Sequence, residues 1–327
     1  MVDWQPVATL DVLRLRARIL ERLRAFFSER AVLEVETPVL SSAAATDPAL
    51  SSFTTHYTGP LFPRGHTFYC HTSPEFPMKR LLAAGSGSIY QICRVFRNGE
   101  AGRFHNPEFT LLEWYRVGFD HRQLMDEAVA LVTAILAGHR ALATPERLTY
   151  REAFERHCGI DPHTADNRVL ADAVTKHAIQ TDLDIGHEDP DVLRDLLLTH
   201  VIEANLGRGR ITVLYDYPAS QAALARIRPE YPPVAERFEL YLDGIELANG
   251  FHELTEAGEQ LRRFEYDLQR RKSTSLPAVP PDARLLSALR AGLPECAGVA
   301  LGIDRLAMLA AGVKSLREVL AFPADCA

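Results

Sequence analysis

The sequence lacks the features that mark several classes of protein. Its five cysteines are odd in number and widely scattered, and they form no Cys-x-x-Cys pair, so neither a zinc site nor a disulfide framework is indicated. No apolar run approaches the roughly 18 residues that a membrane-spanning helix needs. The first residues show no secretory signal, and no internal repeat or low-complexity segment is visible. We therefore expect a cytoplasmic globular protein that binds no membrane.

A surplus of basic residues is also lacking. The 327 residues include 36 lysines and arginines against 43 aspartates and glutamates, which gives a net charge of −7. Dedicated nucleic-acid-binding proteins usually carry a basic surplus, so this balance leans weakly towards a basic or neutral partner. The length suggests one large domain or two smaller domains.

The first group of chemically informative residues lies in residues 94–115. Two segments rich in β-branched and aromatic residues, 88–96 and 107–117, are predicted to form strands around a polar loop that contains Gly99 and Gly102. The loop carries the cationic forks and other donors that a phosphate would need: Arg97, Arg103, His105 and Asn106. For this stretch taken alone, a solvated hairpin tip is an equally good explanation.

Side-chain alternation in the second of these strands adds a further indication. Successive residues of a strand point to opposite faces of the sheet, so Glu113 and Tyr115 share a face with Phe109. A carboxylate beside aromatic rings suits a cationic ligand, and a solvated hairpin does not require this arrangement.

Residues 238–254 form a second predicted hairpin, which is unusually acidic. The dipeptide Asp243-Gly244 is a strong signal for a two-residue turn. Pairing through this turn makes Glu239 and Glu246 diagonal neighbours, roughly 7–8 Å apart at the backbone. Carboxylates at this spacing suit Mg²⁺, which prefers oxygen ligands and also takes phosphate oxygens. Solvent-facing glutamates are the alternative.

Two shorter segments carry weaker signals. Gly302 ends a strand-like run and Arg305 follows at the next helix start, where an arginine could reach a phosphate bidentately. Asn249 and Glu253 lie on either side of Gly250, where glycine would let a ligand approach the backbone.

A third segment, Ser73-Pro74-Glu75, lies between a predicted strand and a predicted helix. Taken alone, helix capping explains this pattern better than ligand binding does.

The remaining pattern predicts both helices and strands. Apolar residues at helical spacing predict a helix over residues 12–27. Further helices are predicted over residues 77–84, where Gly85 and Gly87 stop the helix, and over residues 121–136, 257–272 and 304–311. Further strand-like runs occur at residues 32–39, 68–71 and 298–303. Residues 144–233 are a mixture of helices broken by glycine and proline, which we interpret as a helical insertion or subdomain.

Four of these elements occur together in the order found in class II aminoacyl-tRNA synthetases. They are an arginine before a loop, the segment HNPEF after it, the acidic hairpin with GIELANGFHEL, and GVALGIDR near the end. The sequence resembles the lysyl branch of that class most closely, across essentially the whole chain. The resemblance implies an α+β fold with a mostly antiparallel sheet flanked by helices, as one catalytic domain over residues 1–327. It also implies a homodimer formed through motif 1, the region around Pro38.

The resemblance implies roles for individual residues. Arg97 and Arg305 would be the catalytic residues that hold the ATP phosphates, and Glu239 and Glu246 would be the Mg²⁺ ligands. The nucleotide would contact residues of motif 2 (residues 94–115), of the acidic hairpin and of motif 3 (GVALGIDR): Arg97, Asn98, Gly99, Glu100, Asn106, Phe109, Glu246, Leu247, Gly302 and Arg305. Lysine would be recognised by a set that contains three glutamates: Ser73, Pro74, Glu75, Glu113, Tyr115, Asn249 and Glu253.

The predicted amino-acid pocket itself favours a diamino acid. It has several carboxylates and no nearby arginine, and an ε-ammonium held by Glu253 would make a charge-assisted bond that a neutral side chain could not make. One departure from the family pattern lies in motif 2, where Gly99 replaces the glutamate that contacts adenine. Glu100 follows directly and would take that role through a shifted loop.

The acceptor is predicted from a module that we expect to be missing. Lysyl-tRNA synthetases carry an N-terminal OB-fold of on the order of a hundred residues that reads the anticodon, whereas motif 1 follows soon after Met1 here. The chain therefore resembles the ligases that attach lysine or (R)-β-lysine to a lysine of translation elongation factor P, with no tRNA as partner. A truncated lysyl-tRNA synthetase and an inactive synthetase-like regulator are the alternatives, and α-lysine and (R)-β-lysine both stay open.

Overall fold

The structure, a computed structural model, describes residues 4–327 and contains both helices and strands in alternation. The helices are α1 Leu10–Ser28, α2 Glu75–Ala83, α3 His121–Leu136, α4 Tyr150–His157, α5 Asn167–Lys176, α6 Pro190–Leu197, α7 Ala257–Ser273, α8 Ala283–Gly292 and α9 Ile303–Ala311. The strands are β1 Leu33–Glu34, β2 Leu40–Ser41, β3 Thr54–Tyr57, β4 His66–Cys70, β5 Ile89–Phe96, β6 Glu108–Val117, β7 Ala143–Thr149, β8 Arg210–Pro218, β9 Ile227–Arg228, β10 Val234–Leu242, β11 Ile245–His252 and β12 Cys296–Gly302.

The chain folds into two compact units. Unit 1 contains the chain up to residue 118 together with residues 255–296 and 300–327, and unit 2 contains residues 119–254 and 297–299. The segment 144–233, predicted as an insertion, belongs to unit 2 and contains α4, α5 and α6 as well as β8 and β9. Among residues 4–327, no helix is both long and apolar enough to cross a membrane.

In unit 1, α1 forms because its apolar residues recur on one face. Ile19, Leu23 and Phe27 are almost completely buried, as the spacing of an amphipathic helix requires. The hydroxyl of Thr9 accepts a hydrogen bond from the backbone N–H of Val12 and caps the helix start. The predicted helix over residues 12–27 is therefore confirmed, with α1 slightly longer at both ends.

The strands of unit 1 pair mostly in the antiparallel sense. β5 and β6 pair in register from Ile89 opposite Tyr115 to Phe96 opposite Glu108, which confirms the first predicted hairpin. β2, β4 and β3 form a separate antiparallel sheet.

The predicted strand over residues 32–39 is largely wrong. Only β1 pairs with β5, in parallel, and the next strand, β2, begins at Leu40. Pro38 has no N–H to donate to a ladder, and the hydroxyl of Thr37 donates to the side chain of Gln91 instead.

In unit 2, β8, β10 and β11 pair antiparallel, and β7 pairs with β8 in parallel. The turn between β10 and β11 is formed by Asp243 and Gly244, with φ of 53° and 74°. Positive φ at both residues is the type I′ requirement, so the second predicted hairpin is also confirmed. With helices and mostly antiparallel strands in both units, the predicted α+β class is confirmed.

Candidate active site

The loop between β5 and β6 is held by backbone hydrogen bonds at both of its ends. The N–H of Arg97 donates to the carbonyl of Pro107 at 2.9 Å, and the N–H of Asn98 donates to the carbonyl of Ser51 at 2.8 Å. Gly99 follows with φ of 88° and open space where a Cβ would stand, so this position needs glycine for its backbone conformation.

Arg97 is positioned by two side chains of the same hairpin. Its guanidinium carbon lies 5.0 Å from the ring centroid of Phe109, and Nη1 donates to Oε1 of Glu100 at 3.4 Å. The cation–π contact and the long ion pair hold the guanidinium of Arg97, which stays partly exposed to solvent. Arg97, Glu100 and Phe109, all predicted nucleotide residues, are thus brought together in unit 1.

Arg305, in the first turn of α9, reaches the same loop. Its Nε donates to the carbonyl of Phe104 at 3.3 Å, and its Nη2 donates to Nε2 of His105 at 2.9 Å. Because a guanidinium can only donate, His105 accepts through Nε2 and is the neutral tautomer protonated at Nδ1. Burial, reinforced by the charge of Arg305, lowers the pKa of His105, which agrees with this state.

The rest of the motif 2 loop is held by the C-terminal segment of unit 1. The Nε of Arg103 donates to the carbonyl of Lys314, and the N–H of Leu316 donates back to the carbonyl of Arg103. Asn106 donates to the carbonyl of Glu108 at 2.6 Å and accepts from the N–H of Ala324 at 3.2 Å. The amide of Asn106, predicted to contact the nucleotide, therefore also holds the loop.

Sequence reasoning missed Asp304, which lies beside Arg305 in motif 3 and is almost completely buried. It accepts a hydrogen bond from the N–H of Thr110 at 2.8 Å and forms an ion pair with Arg16 of α1. Arg16 also donates to the hydroxyl of Thr110. This contact fixes the start of α9 against β6. The motif itself contained the signal, because an aspartate directly after the apolar Ile303 at a helix start is rarely buried without a partner.

Glu113 and Tyr115 lie on the same face of β6, as the alternation predicts. The hydroxyl of Tyr115 donates to Oε1 of Glu113 at 2.7 Å, and the carboxylate is 3% exposed. Burial, followed by the charge of Glu113, raises the pKa of the neighbouring Cys93 to about 12. A buried carboxylate of this kind is a strong site for a cation.

Ser73 and Glu75 lie at the start of α2, and Pro74 is the residue that precedes its first turn. The hydroxyl of Ser73 accepts from the N–H of Glu75 at 3.3 Å. The N-cap position itself is Pro74, which makes no side-chain capping hydrogen bond, so the capping role that the sequence favoured is not found at Ser73. Oε1 of Glu75 accepts from Nζ of Lys79 at 2.6 Å, and Lys79 is 1% exposed. Sequence reasoning missed this cation, although a lysine four residues after a glutamate on a helix is the usual spacing of an ion pair.

In unit 2, a β-bulge changes the predicted register of the acidic hairpin. Tyr241 pairs with Glu246 as predicted, but the next pair is Leu240 with Ala248, so Leu247 is the extra residue. The bulge places Asn249 directly opposite Glu239. A regular hairpin would place Ala248 there, and the bulge therefore moves Asn249 onto the face that carries Glu239 and Glu246.

The carboxylate of Glu239 is buried and held by three donors. Oε2 accepts from the hydroxyls of Tyr217 at 2.6 Å and Tyr241 at 2.5 Å, and Oε1 accepts from Nη2 of Arg237 at 2.5 Å. Burial, with the adjacent charge of Glu239, raises the pKa of both tyrosines well above the ordinary value. Burial opposes the charge of Arg237, but Glu239 raises its pKa above the ordinary value. Arg237 therefore stays charged beside the carboxylate of Glu239.

Sequence reasoning missed these three donors to Glu239. Arg237 and Tyr241 lie two residues away on the same face, so strand alternation could have found them. Tyr217 comes from β8, and no local pattern indicates it. Arg237 also donates to Oδ1 of Asn249 at 3.3 Å, which joins Asn249 to the same network.

The end of β11 is held by the segment 224–226. The N–H of Arg226 donates to the carbonyl of His252, the N–H of Leu254 donates to the carbonyl of Leu224, and Ala225 forms a β-bridge with Glu253. Glu253 is 1% exposed. The backbone of a segment far away in sequence thus fixes the position of the glutamate that is predicted to hold the ε-ammonium.

The predicted site residues divide between the two units. Unit 1 contains the two arginines, the motif 2 loop, Gly302 at the start of α9, and the two glutamates Glu75 and Glu113. Unit 2 contains Glu239 and the other predicted residues of the acidic hairpin. The roles given to all of these residues stay predictions.

Comparison with known proteins identifies the family of this chain. Residues 1–326 match the family model for tRNA synthetases class II (D, K and N). The chain therefore belongs to this class II synthetase family.

Within the family, the chain is similar to a particular group of enzymes. A protein of Vibrio atlanticus is 52% identical over 320 residues, which cover 98% of each chain, and is named elongation factor P–(R)-β-lysine ligase. Proteins with the same name from Yersinia enterocolitica and Vibrio cholerae are 52% and 51% identical over 321 residues, with 98% of this chain and 97% and 98% of the relatives covered.

Proposed function

We propose that this chain activates lysine with ATP, with (R)-β-lysine as the preferred form, and transfers it to the ε-amino group of a lysine on translation elongation factor P. The observation that carries this proposal is the similarity at 51–52% identity, over 97–98% of the relatives' length, to ligases named for that reaction. Membership of the class II synthetase family supports activation through an aminoacyl-adenylate.

Arg97 and Arg305 are the residues that we assign to the triphosphate. In the first half-reaction a carboxylate oxygen of the amino acid attacks the α-phosphorus, the bond from the α-phosphorus to the bridging oxygen breaks, and pyrophosphate leaves. Negative charge accumulates on the phosphate oxygens, and preorganised guanidinium groups stabilise such charge without reorganising. Phe109 and Glu100 hold Arg97 in place for this role, and the carbonyl of Phe104 and His105 hold Arg305.

Glu239 and Glu246 are the residues that would hold Mg²⁺. An ionised carboxylate offers about four lone-pair positions, and Glu239 uses three of them on Tyr217, Tyr241 and Arg237. Oxygen donors on one face of a hairpin fit a hard divalent cation. When bound, the ion would neutralise phosphate charge.

Glu253, Glu75 and Glu113 are the carboxylates that we assign to the amino groups of the substrate. Glu75 lies in α2, Glu113 lies in β6 and Glu253 forms a β-bridge with Ala225 just after β11, and Glu253 and Glu113 are almost completely buried. A carboxylate favours a charged amine over a neutral side chain because it forms a charge-assisted hydrogen bond with the amine that the neutral group cannot make.

The second half-reaction transfers the aminoacyl group to a protein. The neutral amine of the acceptor lysine attacks the carbonyl carbon of the adenylate, the carbon–oxygen bond to phosphate breaks, and AMP leaves while the amine loses a proton.

Two assays test the proposal together. The first is ATP–pyrophosphate exchange with L-lysine, (R)-β-lysine and (S)-β-lysine, and the second is transfer of the activated amino acid to purified elongation factor P and to tRNA for lysine. We expect the fastest exchange with (R)-β-lysine and transfer to the protein alone. Transfer to tRNA without transfer to elongation factor P would identify a truncated synthetase, and exchange with none of the amino acids would identify an inactive paralogue.

The role of Glu253 has its own test. Glu253→Gln removes the charge at nearly constant shape, and we expect it to raise the KM for the amino acid by at least about 10-fold, the effect of roughly 1.4 kcal/mol. Glu155→Gln, an exposed glutamate of unit 2, should leave the KM unchanged. If Glu253→Gln exchanged pyrophosphate as the unaltered protein does, the assigned role would be wrong.

We also propose a homodimer formed through the region around Pro38. Leu33 and Leu40 on either side of it are 55% and 45% exposed, and a second copy would cover these apolar side chains. Sedimentation equilibrium should show a dimer, and Leu33→Asp with Leu40→Asp should shift it to the monomer. A monomer at all concentrations of the unaltered protein would contradict this proposal.

A further inference from the structure

Unit 2 contains a second cluster of side chains that the proposed reaction does not use. His121, Glu236 and His252 each offer one ligand atom, and these atoms all lie within 4.8 Å of one another. The three residues come from three elements, namely the first turn of α3, the strand β10 and the end of β11. Nδ1 of His252 and Oε2 of Glu236 are 2.6 Å apart, and the two imidazole rings are 24° from parallel.

His121 is the member of this cluster that needs an explanation. Its side chain is 2% exposed, and among residues 4–327 neither of its ring nitrogens makes a hydrogen bond. A buried polar group without a partner is costly, and native structures contain few of them. Nε2 faces Oδ1 of Asp216 at 3.7 Å, which is too long for a hydrogen bond.

The carboxylates around the cluster are oriented by arginine. Nη2 of Arg228 donates to Oδ2 of Asp216 at 2.9 Å, and Nη1 donates to Oε1 of Glu236 at 3.4 Å. One oxygen of each carboxylate therefore points to Arg228, and the other points towards the imidazoles. Asp216 has a positive φ of 59°, a conformation that costs energy in a residue with a side chain.

We propose that His121, Glu236 and His252 form a binding site for a divalent transition-metal ion of the zinc type, with Asp216 beside it as a further ligand or as a hydrogen-bond partner of His121. Coordination would give the buried imidazole of His121 a direct bond, where it now has only the 3.7 Å contact of Nε2 with Asp216. An ion pair network around Arg228 is the purely structural alternative, but this network leaves both nitrogens of His121 unsatisfied.

The donor set selects the kind of ion. Two imidazole nitrogens and a carboxylate oxygen suit Zn²⁺ and neighbouring first-row ions, whereas Mg²⁺ prefers an all-oxygen shell. Ligand atoms on a tetrahedral zinc ion are roughly 3.3–3.5 Å apart, given bonds of about 2.0–2.1 Å. Atoms within 4.8 Å of one another reach that spacing through small side-chain rotations.

The site is distinct from the carboxylates proposed for Mg²⁺. Glu236 lies three residues before Glu239 in β10, and successive residues of a strand point to opposite faces, so Glu236 is on the opposite face from Glu239. Phe238 pairs with Gly250 and Glu239 with Asn249, and the same register places His252 on the face of Glu236. An ion there would join the start of α3 to the hairpin of β10 and β11. Its role would be to stabilise unit 2.

Metal binding to the full-length protein tests this proposal. After treatment with a chelator, the protein is titrated with ZnCl₂ by calorimetry in excess MgCl₂, which fills carboxylate sites that prefer hard cations. We expect one equivalent of Zn²⁺ to bind and the melting temperature to rise. His252→Gln and Glu236→Gln should each weaken zinc binding by at least about 10-fold, while His187→Gln, an exposed histidine of the same unit, should bind as the unaltered protein does.

The outcomes that would overturn the proposal are equally specific. They are no zinc binding near one equivalent, or equal affinities in the unaltered protein and in both ligand variants. If the variants fail to fold by circular dichroism, X-ray absorption of the zinc-loaded unaltered protein decides the question. A first shell of nitrogen and oxygen with two imidazoles supports the site, and a shell containing sulfur contradicts it.

Discussion

The three donors around Glu239 illustrate how single residues set the electrostatics of the candidate site. A buried carboxylate with a net negative charge is unfavourable unless hydrogen bonds and an opposite charge compensate it. Arg237 supplies the charge, and Tyr217 and Tyr241 supply neutral donors whose raised pKa keeps them protonated. The arrangement fixes the carboxylate of Glu239 in one orientation, which is what a ligand for a divalent cation requires.

Replacement of Arg237 should therefore be costly. Arg237→Gln leaves Glu239 as an uncompensated buried charge, and we expect the free energy of unfolding to fall by about 3–5 kcal/mol. Urea denaturation measures this loss. Arg168→Gln, an exposed arginine of the same unit, serves as the control and should change stability by no more than about 0.5 kcal/mol. A stability of Arg237→Gln equal to that of the control would show that Glu239 does not need the guanidinium.

Gly99 allows a second prediction for a single residue. Because its φ is 88°, Gly99→Ala should strain the motif 2 loop by about 1–2 kcal/mol and raise the KM for ATP in pyrophosphate exchange. Gly85→Ala is a matched control, since Gly85 has a φ of 87° with equally open surroundings but lies after α2. Both variants should lose stability, and only Gly99→Ala should lose ATP affinity. Equal KM values for ATP would separate Gly99 from the nucleotide.

At the scale of elements, the sequence predicts the parts whose signals are local. The two hairpins, α1 and α3 follow from alternation, helical spacing and the Asp243-Gly244 turn. The bulge at Leu247 has no local signal, because it depends on how β11 fits its neighbour. It alters the site nonetheless, since it places Asn249 opposite Glu239.

Contacts between distant segments were beyond prediction for the same reason. Tyr217 meets Glu239, Arg16 meets Asp304, and the segment 224–226 pairs with the end of β11 only after the chain has folded. Patterns of residue type indicate which groups need partners, and the tertiary fold decides which partners they find.

His71 connects β4 with β5 and provides a prediction at the scale of elements. Its N–H donates to the carbonyl of Val39, its carbonyl accepts from the N–H of Phe96, and its Nε2 lies 2.7 Å from the carbonyl of Arg94. Burial lowers the pKa of His71, although the hydrogen bond to Arg94 partly opposes this shift.

The sign of the pH effect follows from this lowered pKa. Below the ordinary value of about 6.5 the unfolded chain takes up a proton at His71 that the folded chain does not, so stability falls as the pH falls. His71→Gln keeps a donor for the carbonyl of Arg94, and its free energy of unfolding should fall less between pH 7 and pH 5 than that of the unaltered protein. Urea denaturation at both pH values gives the comparison, and parallel losses would contradict the assigned shift.

At the scale of the whole molecule, the chain path joins the two units more than once. The chain leaves unit 1 after residue 118, returns at 255, enters unit 2 again for residues 297–299 and ends in unit 1. The strand β12 therefore contributes residues to both units. We therefore expect both units to unfold together when either one is destabilised.

The core of unit 2 offers a direct test of this coupling. Phe154 is completely buried and stacks on Tyr150 at 4.6 Å, so Phe154→Ala should lower the free energy of unfolding by about 3–5 kcal/mol. Both tryptophans, Trp4 and Trp114, lie outside unit 2, and Trp114 is completely buried. Tryptophan fluorescence therefore reports on unit 1, and far-ultraviolet circular dichroism reports on both units.

We expect both signals to move to the same lower urea midpoint in Phe154→Ala, because the chain cannot unfold unit 2 without withdrawing residues 297–299 from β12. Phe322→Ala, an apolar residue of unit 1 that is 52% exposed, should leave both midpoints almost unchanged. A circular dichroism midpoint that falls while the fluorescence midpoint stays in place would show that unit 1 folds independently. In that case β12 would connect the two units along the chain without coupling their stabilities.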